Sequence, residues 1–199
     1  MNGIIILAAG ASRRMGRPKQ LLEIEGENLL NRVIRMAKAS DFEAVSVVVG
    51  AHIELILPEI DSTGVEVFLN PDWESGMSST LACGLKHTLR AFPELEAVLI
   101  LLVDQPFITV ELINRFLIIY QTEHPKLIAA RYADVHGVPA LFDKSLFPDL
   151  LGQQGQAGAR KLIKAYEKEL VAVDFPEGKM DLDTPEEWER FSKIGKKGA

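Results

Sequence analysis

MNGIIILAAGASRRMGRPKQLL, residues 1–22, opens the chain and decides how the rest of it is read. Ile4 to Leu7 are four apolar residues in a row, the pattern of a strand buried on both faces. Directly after them Gly10 and Gly16 stand among Arg13, Arg14, Arg17 and Lys19. Glycines free the backbone to turn N–H groups toward an anion, and Arg and Lys neutralise phosphate charge. The competing reading is a solvated basic loop. Its place after a buried strand favours phosphate, because ligands of parallel sheets bind beyond the carboxyl ends of the strands. The loop has no Gly-Lys-Ser/Thr and no Gly-x-Gly-x-x-Gly, which excludes a Walker A loop and a dinucleotide fingerprint.

Working outward, apolar runs of strand length alternate with segments of helical period. Strands are expected at Gly3–Ala8, Ala44–Val49, Val65–Leu69, Ala97–Val103, Leu127–Tyr132 and Val138–Phe142. Helices are expected around Leu29 to Ala37, at Ser78–Ala91, at Thr109–Gln121 with Thr109 as N-cap, at Ala157–Glu169 and at Pro185–Ile194. This order predicts an α/β fold: a mostly parallel central sheet with helices on both faces, Ala97–Val103 at its centre. The 199 residues suit one domain, read as 1–194, with 195–199 as a disordered tail.

Composition narrows the classes further. The formal net charge of -6 argues against a general nucleic-acid binder. One cysteine, Cys83, excludes an internal disulfide and a Cys-rich metal site, and is read as a small buried residue. The longest apolar run is far short of a membrane span, and no signal-peptide pattern opens the chain, so the expected compartment is the cytoplasm.

Three more stretches carry chemistry. Asp104 ends the most apolar strand, in Val103-Asp-Gln-Pro106. It either caps the following turn or binds a cation, since a buried carboxylate there is costly unless partnered. Ser78 and Ser79, in Gly76-Met-Ser-Ser-Thr80, are either helix N-caps or ligand contacts. Asp181 and Asp183 alternate, so in an extended segment both point to one side and suit a divalent cation. Equally, Asp183 or Thr184 starts a helix whose first residue is Pro185.

Leu7-Ala-Ala-Gly-Ala-Ser-Arg-Arg-Met-Gly-Arg-Pro-Lys19 resembles the signature of nucleotidyltransferases with a Rossmann-like GT-A fold, the nucleotide-diphospho-sugar transferase fold. With Asp104-Gln-Pro106, the chain resembles the MobA-like NTP transferase family, and within it the molybdenum-cofactor cytidylyltransferase branch. The resemblance runs from Leu7 to Glu187. It implies that Leu7, Ala8, Ala9, Gly10, Ala11 and Ser12 wrap a nucleoside triphosphate, with Gly76, Ser78, Ser79 and Thr80 facing the nucleoside. It implies Arg14, Lys19 and Asp104 as catalytic residues, and Asp104 with Asp183, then Asp181, as ligands of Mg²⁺, with Mn²⁺ as an alternative. Arg13 and Arg17 fall at variable positions of the motif and are read as surface.

The implied reaction is transfer of CMP from CTP to the phosphate of molybdenum-bound molybdopterin, with release of pyrophosphate. Leu-Ala-Ala-Gly rather than Leu-Ala-Gly-Gly points to CTP over GTP. The alternatives are a guanylyltransferase, another phosphorylated acceptor including a sugar phosphate, and a non-catalytic nucleotide-binding chaperone that delivers cofactor to a molybdoenzyme. Two stretches depart from the family pattern. His136-Gly-Val-Pro139 stands where Gly-His-Pro is usual, so His136 receives no role. Gly155-Gln-Ala-Gly-Ala-Arg160 has glutamine where an acidic residue is usual. Gly137, Pro139, Gly158 and Arg160 are expected to meet the acceptor. His52, His87, His124, Trp73 and Trp188 are read as structural or surface residues.

Overall fold

The computed structural model describes residues 1–195. β1 (Asn2–Ala8) leads through the basic loop to a small hairpin, β2 (Glu23–Ile24) and β3 (Glu27–Asn28), and then to α1 (Leu29–Lys38). β4 (Ala44–Val49), the single turn α2 (Ile53–Ile56), β5 (Glu66–Leu69) and α3 (Met77–Ala91) follow. Next come β6 (Ala97–Leu102), α4 (Val110–Glu123), β7 (Leu127–Tyr132) and β8 (Val135–Asp143). α5 (Phe147–Leu151), α6 (Arg160–Ala165), β9 (Val171–Asp174) and α7 (Pro185–Gly195) complete it. Of the expected tail, Gly195 ends α7, and residues 196–199 lie outside the described residues.

The seven-stranded sheet has the order β5-β4-β1-β6-β8-β7-β9, which puts the most apolar strand at its centre. β8 runs antiparallel to both of its neighbours, and every other pairing is parallel. The apolar run of β1 divides between two layers, as the alternation of a strand requires. Ile4, Ile6 and Ala8 pack with α1, α4 and α7, while Ile5 and Leu7 pack with α3, α5 and α6. Ile4, Ile5 and Ile6 have no exposed surface, and each such burial contributes about 1.5–3 kcal/mol.

The structure corrects several boundaries. The helix expected at Ala157–Glu169 is α6 alone, preceded by a 3₁₀ turn at Gly155–Ala157. Gly158, at φ 53° and ψ -130°, breaks the helical path between them. β8 starts at Val135 because it forms a hairpin with β7. β9, the β2–β3 hairpin, α2 and α5 escaped the sequence reading, since pieces this short complete no period. Cys83 is half-buried rather than enclosed, and burial pushes its thiol pKa up. Thr109 caps α4 as expected, accepting the Leu112 N–H. None of the described helices is long and apolar enough to cross a membrane.

Candidate active site

β1 and β6 are parallel neighbours with Leu7 opposite Leu102, so the loops after them leave the sheet side by side. Between these loops and the start of α3 lies a cleft of ≈ 350 Å³. Leu7, Ala9, Gly10, Ala11, Lys19, Gly76, Thr80 and Asp104, all among the residues expected to meet a nucleotide, line it. Arg13, read as surface, lines it too, and so do Trp73, Glu74, Met77 and Gln156.

The basic loop is held in shape from within. Gln20, 1% exposed, donates from Nε2 to the carbonyls of Ala8 (2.7 Å) and Gly10 (3.0 Å). Ser12, at φ 51°, accepts the Lys19 N–H on Oγ at 3.0 Å. Ser12 and Ala8 thus brace the loop and do not line the cleft. Gln20 carries no periodic or charge signal, and only the tertiary structure reveals its burial.

Across the cleft, Lys19 Nζ contacts Asp104 Oδ2 and lies 2.8 Å from Asp183 Oδ1. Arg14 pairs with the other oxygen of Asp183. Burial disfavours the charge on Lys19, but Asp104 and Asp183 outweigh it and raise its pKa. Burial also disfavours the Asp183 carboxylate, yet Lys19 and Arg14 hold its pKa below the usual range. Asp181 lacks such a partner, so burial and the nearby Asp104 and Asp183 charges push it up to about 6. The C-terminal segment reaches this place because the Asp104 carbonyl accepts the Leu182 N–H at 3.1 Å.

The local alternatives now separate. Asp104 does not cap a turn, since its Oδ2 meets Lys19 and its buried Oδ1 has no partner. Thr184, not Asp183, caps α7. Thr184 Oγ1 accepts the Glu187 N–H, while Glu187 Oε2 accepts the Thr184 and Asp183 N–H groups, a capping box. Asp183 therefore keeps its carboxylate for Lys19 and Arg14. Among the described residues no three His, Cys, Asp or Glu side chains converge as a ready cation cage. The donors instead fit Mg²⁺ or Mn²⁺ held by one or two carboxylates together with substrate phosphates, with the unpartnered Asp104 oxygen as the first.

The start of α3 is organised by Asn70, which is 2% exposed and was given no role in the sequence. Its Nδ2 donates to Ser79 Oγ (3.0 Å) and Thr80 Oγ1 (3.1 Å), and its Oδ1 accepts the Asp72 N–H. Asn-Pro-Asp after a strand was the available signal for such a turn. Ser78 accepts the Gly158 N–H at 3.2 Å, so neither Ser78 nor Ser79 lines the cleft. Gly76, at φ 109°, lets this turn approach the Gly155 carbonyl, which a Cβ would meet at 2.7 Å. The two glycine-bearing loops therefore touch.

Arg160 lines a second cleft, of ≈ 460 Å³, with Tyr132, His136 and Lys164. Gly137 lies against the Tyr132 hydroxyl. Burial raises the Tyr132 pKa, with Asp181 and Asp104 adding and Arg160 opposing, so this cleft shares the field of the first. Gln105 donates to the Val138 carbonyl at 2.8 Å, beside Pro139.

A basic, glycine-bearing loop beyond β1, facing a carboxylate beyond β6, defines a phosphate-handling cleft of the nucleotidyltransferase class. The profile of the MobA-like NTP transferase domain matches residues 4–170, and the chain belongs to that family. It is a nucleotidyltransferase, and its fold is that of the nucleotide-diphospho-sugar transferases. The molybdenum cofactor guanylyltransferase of Rhizobium meliloti (strain 1021) is 28% identical, over 92% of this chain and 87% of that one. Nicotine blue oxidoreductase of Paenarthrobacter nicotinovorans is also 28% identical, over 94% of each chain. The crystal structure of Rv0371c from Mycobacterium tuberculosis H37Rv superposes with a TM-score of 0.85 at 25% identity, over 97% of this chain and 98% of that one. That mycobacterial protein has also been solved in complex with manganese.

Proposed function

We propose that this protein transfers CMP from CTP to the phosphate of molybdenum-bound molybdopterin and releases pyrophosphate. The observation that carries the reading is the Asp104 carboxylate at the end of β6, with one buried oxygen unpartnered and the other facing Lys19 across the cleft. Backbone N–H groups of residues 9–12 receive the triphosphate. Lys19 and Arg14 turn from the carboxylates to the β- and γ-phosphates, and so offset the charge that grows on the leaving pyrophosphate. A divalent cation held by Asp104 and Asp183 would supply charge neutralisation between triphosphate and acceptor. The acceptor oxygen is already anionic, so no strong general base is needed, and positioning supplies most of the rate. Arg160, with Gly137, Pro139 and Gly158, receives the acceptor.

Ala9 supports CTP as the donor. A second reading, GTP with the same acceptor, is favoured by the guanylyltransferase relative. The test is pyrophosphate release by the purified protein with molybdenum-loaded molybdopterin, Mg²⁺ and either nucleotide. Release with CTP alone supports the proposal. Release with GTP alone replaces the base and keeps the mechanism. Nucleotide binding without release favours a cofactor-delivering chaperone.

A further inference from the structure

The nucleotide cleft has two unlike ends. Lys19 and Asp104 meet at the β6 end. The β4 end is closed by Trp73, which sits in the 3₁₀ turn Trp73–Ser75 after β5 and lines the cleft beside Glu74. The root of the indole is seated deliberately close. A Cβ placed on Gly50, at the end of β4, would lie 2.7 Å from Trp73 Cβ and 2.8 Å from Ala9 Cβ. Glycine at position 50 is thus what lets Trp73 settle against the phosphate-binding loop. Ala9, Met77 and Thr80 also line the cleft and carry no charge, and Arg13 adds a second cation to it.

A nucleoside triphosphate has one orientation that matches this polarity. Its phosphates go to the Lys19 end, and its base goes to the aromatic end, where the Glu74 carboxylate repels phosphate. We infer that Trp73 is a wall of the nucleobase pocket, contacting the base through its indole. This inference rests on the nucleotide-binding reading above. It assigns Trp73 a role in base recognition beyond the packing role expected from sequence. Base–aromatic contacts of this kind are worth about tenfold or more in affinity.

The test combines tryptophan fluorescence with calorimetry, using CTP, GTP and inorganic pyrophosphate, each with Mg²⁺. Trp188, the second tryptophan, packs against Phe191 in α7 and does not line the cleft, so it serves as the control. Nucleotide is expected to quench the wild type and Trp188→Phe, but not Trp73→Phe. Trp73→Ala is expected to weaken the preferred nucleotide about tenfold and to leave pyrophosphate affinity unchanged. Trp73→Phe should recover most of the loss. Quenching that survives Trp73→Phe, or equal weakening of nucleotide and pyrophosphate, overturns the role of Trp73 while leaving nucleotide binding intact. A wild type that binds neither CTP nor GTP overturns this inference and the proposed function together.

Discussion

At the scale of single residues, Lys19 has the most consequences because it meets two carboxylates at once. Its side chain is 17% exposed and that of Asp104 only 12%. Removing one member of such a pair leaves the other buried and uncompensated, which costs more than the pair itself is worth. The losses are unequal. Asp104→Ala leaves Lys19 still paired with Asp183, whereas Lys19→Ala leaves Asp104 alone beside two other carboxylates. Lys19→Ala is therefore expected to lower the unfolding free energy, measured by urea titration, by about 1–3 kcal/mol, and Asp104→Ala by less. Both are expected to reduce turnover by about 100-fold or more while retaining native circular dichroism. Near-normal rates in both would sink the mechanism. Gln20→Ala frees two carbonyls inside the loop after β1 and, on the proposed function, is expected to raise the KM for nucleotide several-fold, measured by pyrophosphate release. An unchanged KM would show that the loop keeps its shape without Gln20.

At the scale of elements, caps and side-chain ties decide where each piece ends. Thr184→Ala removes the capping hydroxyl of α7 and should cost about 1 kcal/mol in thermal unfolding. A loss of activity far beyond that would mean that the cap also positions Asp183. Tyr120 of α4 donates to Asp143, at the end of β8, at 2.7 Å. Burial raises the Asp143 pKa, but the Ser145 and Tyr120 hydrogen bonds outweigh it and hold the carboxyl below its ordinary value. A depressed carboxyl adds stability above its unfolded pKa and loses it as pH falls through the folded one. Tyr120→Phe should thus lower Tm at neutral pH and show a shallower fall below about pH 4. Parallel Tm curves for the two proteins would refute the coupling. Elements with a full period were legible in the sequence: β1, β4, β6, β7 and the long helices. β9 and α5 were not, because their placement depends on partners far along the chain. β9 pairs with β7, and α5 packs against α3.

At the scale of the whole molecule, the site gathers Lys19, Asp104 and Asp183 across 164 positions of sequence. The resemblance assigned all three to one site, but the ion pairs of Lys19 with Asp104 and Asp183 were not foreseen. The Leu182 N–H to Asp104 carbonyl bond that joins the segments is made by backbone, and backbone carries no sequence signal. The same holds for Trp73, whose approach needs a glycine from another strand. A ligand that spans these segments stabilises them together. Saturating Mg²⁺ and nucleotide at about 100 times Kd should add about 2.7 kcal/mol to stability, read as a rise in Tm. Chelation of the cation should remove most of that rise. A nucleotide-induced rise that is indifferent to chelation would separate nucleotide binding from Asp104.

The reversed direction of β8 gives the fold a division of labour. Strands that run with β1 deliver their ends to the reactive edge, but β8 delivers its beginning, so Val135 to Pro139 arrive there from a hairpin. Its turn, at Ala133 and Asp134, is separate from the loops after β1 and β6 that carry Lys19 and Asp104. A protein built this way can lengthen, shorten or exchange that turn, generation after generation, while the loops after β1 and β6 keep their shape.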